Sequence, residues 1–266
     1  KFEHNAANAP VVLNGSLKIE ETRAVQGISA KLNTIAKIRG EYVVASKYDF
    51  WFLNADLSPK FHAAMDPWFS ANVLDLVGIT ALDKDAYVLM GSNKSLLRVR
   101  QNPEADDVQG WPNFTAGRSH IEAVGGLGRA RIDTERAKFS YIHSSATDGR
   151  YVFMATVPDN KNKKQFVISK ALMKDWMLSG EFVPTAEMLK KDRSLGELYV
   201  TGMVYEDGKL YAVSKNWNVL VVIDVAQEAV VEAWGLPEEL TDIRGLVKDG
   251  STFEVIDANR VVKLTM

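Results

Sequence analysis

Apolar and polar residues alternate with a period of two along most of this chain, in short runs broken by turn residues, and that period belongs to half-buried strands rather than helices. The clearest run is 201–214, Thr-Gly-Met-Val-Tyr-Glu-Asp-Gly-Lys-Leu-Tyr-Ala-Val-Ser. Its two halves meet at Glu206-Asp207-Gly208. Asp-Gly between alternating stretches marks a tight hairpin, because glycine accepts the positive φ of a primed turn. Similar runs occupy 78–91, with Lys84-Asp85 at the turn, and 245–256, with Asp249-Gly250; fainter copies occupy 36–46 and 147–156.

Extending each hairpin outward predicts the strands. The first repeat has them at 34–38, 42–46 and 50–54. The second runs from 73 to about 100 with its third strand at 96–100, and the third covers 139–168 with a strand at 165–169. The fourth, 198–225, continues through 219–223 and 229–233, and the fifth ends the chain at 259–264. Turn anchors fall at 40, 84, 148, 207 and 249. Two of the intervals match the roughly 40–45 residues of a four-stranded propeller blade, and the other two exceed it by an insertion. The insertions lie near 101–138 and 170–197, and 185–192 in the second is patterned as a short helix capped by Thr185.

Residues 1–10 are small and polar, the pattern of a disordered lead-in. The run 11–19 has strand character but no repeat of its own, whereas the last repeat lacks a fourth strand. It is therefore expected to complete the last blade and close the ring, hiding the edges that a linear array would expose. The fold class is all-β: a single β-propeller domain over 11–266, with five blades countable and six if a degenerate blade sits inside an insertion.

The pattern Gly, apolar, any, apolar, Asp-Gly turn, then Leu-Tyr-Ala-Val-Ser, best kept at 202–214, resembles the bacterial extracytoplasmic propellers of the YVTN/NHL and SdiA-regulated type. The likeness spans most of the chain through five repeats. It implies a periplasmic or secreted protein.

Composition narrows the function. With 32 Lys and Arg against 34 Asp and Glu, the net charge of −2 supplies no basic field for nucleic acid. Cysteine is absent, which removes disulfides, thiolate metal sites and a Cys nucleophile. The longest apolar runs, such as 219–223, are of strand length and far from the ~18 residues that span a bilayer. The chain begins at Lys1, and an upstream signal peptide, membrane anchor, domain or tag is expected to have been removed. A membrane enters only through such an anchor.

Two constellations are candidates for binding. In a propeller, residues just before the repeat glycine reach the channel mouth, where ligands bind. Asp75, Tyr199 and Asp242 stand three positions before Gly78, Gly202 and Gly245, and Thr201 and Arg244 immediately precede the last two. The blander reading pairs these side chains with one another, Asp242 with Arg244 for example. The second constellation is in the first insertion: Trp111, Arg118, His120, Arg129 and Arg131 around Gly125-Gly-Leu-Gly128, where bare backbone N–H groups beside arginines can cradle an anion.

No catalytic residue and no metal ligand is assigned. The histidines at 4, 62, 120 and 143 lack metal spacing, and Ser144 and Ser145 beside His143 have no Gly-x-Ser-x-Gly context. No cofactor is expected; calcium at the mouth is the one alternative, and it needs six or more oxygens where two carboxylates align. Trp51 and Trp217 follow Ser-Lys pairs at equivalent repeat positions and are expected to pack between blades. Trp68, Trp111 and Trp176 fall in the connections, where an exposed aromatic serves as a contact surface. The expected function is a non-catalytic propeller that recognises a partner protein or small ligand through its insertion loops and channel mouth. The alternative is a cation-dependent, lactonase-like hydrolase or lyase in the central channel.

Overall fold

The computed structural model describes residues 5–38, 40–47, 49–64, 75–81, 86–101, 121–123, 128–129, 141–160, 163–174 and 177–266. Two short strands open the chain, β1 (Gly15–Ser16) and β2 (Lys18–Ala24). A first meander follows: β3 (Thr34–Ile38), β4 (Glu41–Ala45), β5 (Asp49–Leu53) and β6 (Pro59–Ala64). The second is β7 (Leu76–Ala81), β8 (Ala86–Gly91) and β9 (Ser95–Gln101), with β10 (Ile121–Ala123) and β11 (Gly128–Arg129) both paired to β9. The third is β12 (Ile142–Thr147), β13 (Tyr151–Thr156), β14 (Ile168–Leu172) and β15 (Leu178–Phe182). After β16 (Thr185–Ala186) come β17 (Val200–Glu206), β18 (Lys209–Ser214), β19 (Val219–Asp224) and β20 (Ala229–Gly235). The last strands are β21 (Ile243–Asp249), β22 (Thr252–Asp257) and β23 (Arg260–Thr265).

Among the described residues these strands make five sheets. The first strand of each packs on the first strands of two others: β3 on β7 and β21, β12 on β7 and β17, and β17 on β21. First strands so arranged surround a central channel, the arrangement of a β-propeller. The apolar residues of the alternating pattern fill the spaces between adjacent sheets. Val77 and Val88 meet Val152 and Met154, Phe153 and Ile168 meet Leu210 and Val221, Val213 and Leu220 meet Phe253 and Val255, and Val247 and Ile256 meet Ile35 and Val44. Trp51 and Trp217 border two of these cores.

The repeat glycines have a specific cause. A Cβ on Gly202 would lie 2.5 Å from the carbonyl carbon of Gly245 and 2.8 Å from its Cα. Gly245 has φ +64° and faces the Ile35 nitrogen, and the side chain of Ser145 lies against Gly78. At Gly202 and Gly245 neighbouring first strands therefore touch backbone to backbone, and at Gly78 the contact is with the small Ser145 side chain. The register slips at the same places, between Leu76 and Gly78, Ile142 and Ser144, Val200 and Gly202, and Arg244 and Val247. A bulge of this kind re-aims the preceding side chain. Two of the hairpin turns are as read, with Asp207 and Gly208 at φ of 50° and 81° and Gly250 at φ 61°, while the turn at Lys84-Asp85 lies outside the described residues.

An N-terminal strand does complete the last sheet, but it is shifted along the chain and shares only Lys18 and Ile19 with the expected 11–19. The strand that completes the last sheet is β2, paired antiparallel with β23 so that Ile19 faces Leu264 and Arg23 faces Val261. Most of β2 is exposed, and its charged side chains discourage further pairing at an outer edge. Of the apolar residues that suggested a strand, Val11 and Leu17 are buried elsewhere, whereas Val12 is exposed and Ile19 lies in β2. Val11 bridges Leu189, and Gly15–Ser16 lies parallel to Trp234 and Gly235. A buried network locks the closure. The Tyr42 hydroxyl donates to both Glu254 oxygens, at 2.6 and 2.8 Å. Arg23 Nη2 donates to Tyr42 at 3.0 Å and to Glu254 at 3.3 Å, and Lys37 Nζ is 3.5 Å from Glu254. Burial first, and then the bond to Glu254, push the Tyr42 hydroxyl above the usual phenol range.

Two further expectations are corrected. Residues 185–192 contain no helix: Thr185–Ala186 pairs parallel with Ala229 and Val230, Val12 N–H donates to Met188 O, and Lys190 N–H donates to Pro10 O. Backbone pairing and the burial of Ala186, Met188 and Leu189 against the core override a local helical pattern. Residues 5–10, expected as a loose lead-in, are packed. Asn5 caps a single 3-10 turn at Ala6–Asn8, Ala9 is fully buried, and Lys190 and Arg193 donate to the Ala7 and Asn8 carbonyls at 3.0 and 3.2 Å.

Gly202→Ala forces two backbones apart and is expected to lower stability by about 1–3 kcal/mol, read from the urea midpoint. Tyr42→Phe leaves a buried carboxylate short of its donor and is expected to cost about 1–3 kcal/mol in the same measurement.

Candidate functional site

Each antiparallel meander brings the start of its first strand and the turn after its second strand to the same end of the molecule. Asn33, Asp75, Tyr141, Tyr199 and Asp242 stand at those starts, each followed by a buried residue: Thr34, Leu76, Ile142, Val200 and Ile243. One position further, the strands bring His143, Thr201 and Arg244 into play. The turns add Lys47, Ser92, Asp159, Lys215 and Asn216. Backbone bonds tie the parts together: Leu76 N to Lys47 O at 3.0 Å, Ser92 N to Asp75 O at 2.8 Å, Ile142 N to Ser92 O at 2.9 Å, and Lys215 N to Tyr199 O at 3.1 Å.

Two cavities open at this mouth. One of about 540 Å³ is lined by Tyr199, Thr201, Lys215, Asn216 and Arg244 among others. The other, about 360 Å³, is lined by Lys47, Asp75, Tyr141 and Asp159. Both include His143 and Tyr199, whose rings meet edge-on at 5.5 Å and 64°.

Asp242 is the electrostatic anchor. Its Oδ1 takes Lys215 Nζ at 2.7 Å and Arg244 Nε at 3.1 Å, and its Oδ2 takes Lys31 Nζ at 3.0 Å. Burial alone would push this carboxyl upward, but the hydrogen bonds from Lys215 and Lys31 and the charge of Arg244 outweigh it and hold the pKa at about 2. The guanidinium is also oriented by Asn33, whose Oδ1 accepts from Arg244 Nη1 at 3.4 Å. Asp75 is half-exposed and lies 3.8 Å from Lys47. His143 is pushed below its ordinary value by burial first and then by Arg244, with Asp75 opposing and Lys215 adding a smaller push. It is therefore neutral at neutral pH. Burial, and then the Asp159 charge, raise the Tyr199 hydroxyl.

Of the residues read from the sequence, Tyr199, Thr201 and Arg244 line the larger cavity and Asp75 the smaller. Asp242 sits behind Arg244 as its counter-charge, and the Thr201 hydroxyl donates across to the Ile243 carbonyl at 2.5 Å. The two aspartates occupy different ion pairs. Among the described residues no group of three His, Asp or Glu side chains is placed to hold a metal ion. Trp111, Arg118, His120 and Arg131 lie outside the described residues, as do Trp68 and Trp176. Arg129 is described only as backbone in β11.

Sequence reasoning set His143 aside and missed Tyr141 and the lysines. Tyr141-Ile-His-Ser144 aligns with Tyr199-Val-Thr-Gly202, but serine in place of glycine hid the correspondence. The repeated pairs Ser46-Lys47 and Ser214-Lys215 were the signal for the lysines.

No protein-family model and no curated protein sequence matches this chain. Solved structures do. The glutaminyl cyclase of Myxococcus xanthus superimposes with a TM-score of 0.59 at 12% identity, over 96% of this chain and 97% of that one. The Cps50 (Swd1) β-propeller domain of Myceliophteria thermophila gives a TM-score of 0.47 at 10% identity, over 89% of this chain and 65% of that one. At these identities the likeness concerns the fold: this is an all-β protein with a propeller arrangement. Among the described residues no helix is long and apolar enough to cross a membrane.

The depressed pKa of Asp242 gives a pH test. Its ionised form stabilises the folded state, so the contribution is complete above the ordinary carboxylate pKa and is lost as pH falls toward about 2. Asp242→Asn is expected to be less stable than the parent at pH 7, with the gap closing between about pH 4 and pH 2 in paired urea titrations.

Proposed function

We propose that this protein is a non-catalytic binding propeller of five blades that holds a small polar ligand at the channel mouth through an anionic group. The observation that carries this reading is the pair Lys215 and Arg244 on one cavity wall, both fixed by the same half-buried carboxylate. Asp242 pre-orders two long side chains, so a ligand does not have to immobilise them itself. Three cations gather on this one anion, which leaves an excess of positive charge. A guanidinium offers five donors in a planar fork suited to carboxylate or phosphate. Rigid inner strands carry these groups and the turns complete the site. The blade count rests on the unbroken circuit of contacts among the five first strands. A periplasmic or secreted setting belongs to the same reading on the repeat resemblance, with a partner protein on the 101–138 segment as its extension.

A second reading is an enzyme at the same mouth. His143 is kept neutral beside Tyr199, and a neutral imidazole accepts protons. The glutaminyl cyclase of Myxococcus xanthus is an enzyme on a similar fold. A calcium-dependent version would rely on Asp75, because both oxygens of Asp242 already face cations.

Thermal unfolding with citrate, acetate, inorganic phosphate or calcium distinguishes the readings, since whatever binds the native state raises its melting temperature. An anion should stabilise the wild type and lose that effect in Arg244→Met and Lys215→Met. No shift with any anion, or a shift indifferent to both substitutions, would reject the binding reading. A calcium shift lost in Asp75→Asn would favour the enzyme.

A further inference from the structure

We infer that the channel mouth is a receptor for a short free peptide of two or three residues, with its carboxylate on the Lys215 and Arg244 wall and its ammonium on the wall of Asp75 and Asp159. This rests on the binding reading above and names the ligand class.

The two cavities are lobes of one mouth, because His143 and Tyr199 line both. Their charges differ in sign. The larger lobe holds Lys215 and Arg244, with Asp242 matched by Lys31 behind them and exposed Glu238 at the rim. The smaller lobe holds Asp75 and Asp159 against Lys47. Lys47 lies 3.8 Å from Asp75, an ion pair longer than a hydrogen bond, and the Asp75 carboxylate is 49% exposed. A carboxylate has about four lone-pair sites, so an existing partner does not stop it accepting an ammonium. The ring pair between the lobes feels both sides. Arg244 and Lys215 push the His143 proton off while Asp75 pulls it back, and Asp159 acts on Tyr199.

The placement of the charges favours a short chain. The ligand's two charges must lie in two different lobes, which share only His143 and Tyr199 in their linings. A free amino acid carries both charges on one residue, whereas a short peptide separates them along its backbone. Two or three extended residues cover roughly 7–11 Å at about 3.3–3.6 Å each. The smaller lobe also includes Tyr141 and Val157 and the larger Leu240, which suit a peptide's apolar and backbone atoms.

The test is calorimetric titration of the intact protein with trialanine, N-acetyl-trialanine, trialanine amide and alanine. Trialanine should bind, and blocking either terminus should weaken it by roughly tenfold or more, the size expected for losing one charge-assisted hydrogen bond. Alanine should bind far more weakly. Asp75→Asn should erase the preference over the acetylated peptide, and Arg244→Met the preference over the amide. Equal binding of acetylated and free peptide would overturn the peptide inference while leaving an anion site in place. So would no peptide binding alongside a melting shift with simple anions. Silence from both peptides and anions would reject the site altogether.

Discussion

The close approach of neighbouring first strands around the channel is the constraint on which this molecule depends. At Gly202 and Gly245 two backbones come within the distance at which a Cβ cannot exist, so the ring can be this narrow only where side chains vanish or, as at Ser145 against Gly78, stay small. That approach stacks the sheets face to face and forces the bulges near Leu76, Ile142, Val200 and Arg244. The bulges turn His143, Thr201 and Arg244 toward the mouth. Packing and site therefore have one origin.

Closure imposes the second demand. A propeller is stable only if its last sheet joins its first, and here the join is made by a charged outer strand together with a buried polar network. Glu254 is almost wholly removed from water, a position tolerable only because Tyr42, Arg23 and Lys37 meet it. Those partners come from β2 and from the β3–β4 hairpin, so a single carboxylate on β22 reports on the assembly of the two ends of the chain.

At the mouth the same economy of charge recurs. Asp242 gathers Lys31, Lys215 and Arg244, holding cations in place without cancelling them. The result is a fixed positive wall, separated by a neutral histidine and a tyrosine from a lobe with two aspartates. The solved propellers to which the chain is similar include an enzyme, and the fold by itself does not choose between binding and chemistry.

The strands and hairpins, and with them the propeller class, were legible in the sequence. Alternation and Asp-Gly turns are local, and each reports on its own few residues. Even the mouth was partly visible: Asp75, Tyr199, Thr201, Asp242 and Arg244 were placed by counting back from a glycine. What only the tertiary structure decided were matters of long-range pairing. Residues 11–19 looked like the closing strand because they are apolar, yet Val11 and Leu17 are drawn into the interior and the exposed edge falls to the more charged β2. The segment 185–192 looked helical until its backbone found the N-terminal residues. His143, Lys47 and Lys215 became part of a site because five chain segments converge on one axis, and no local period records where a ring closes.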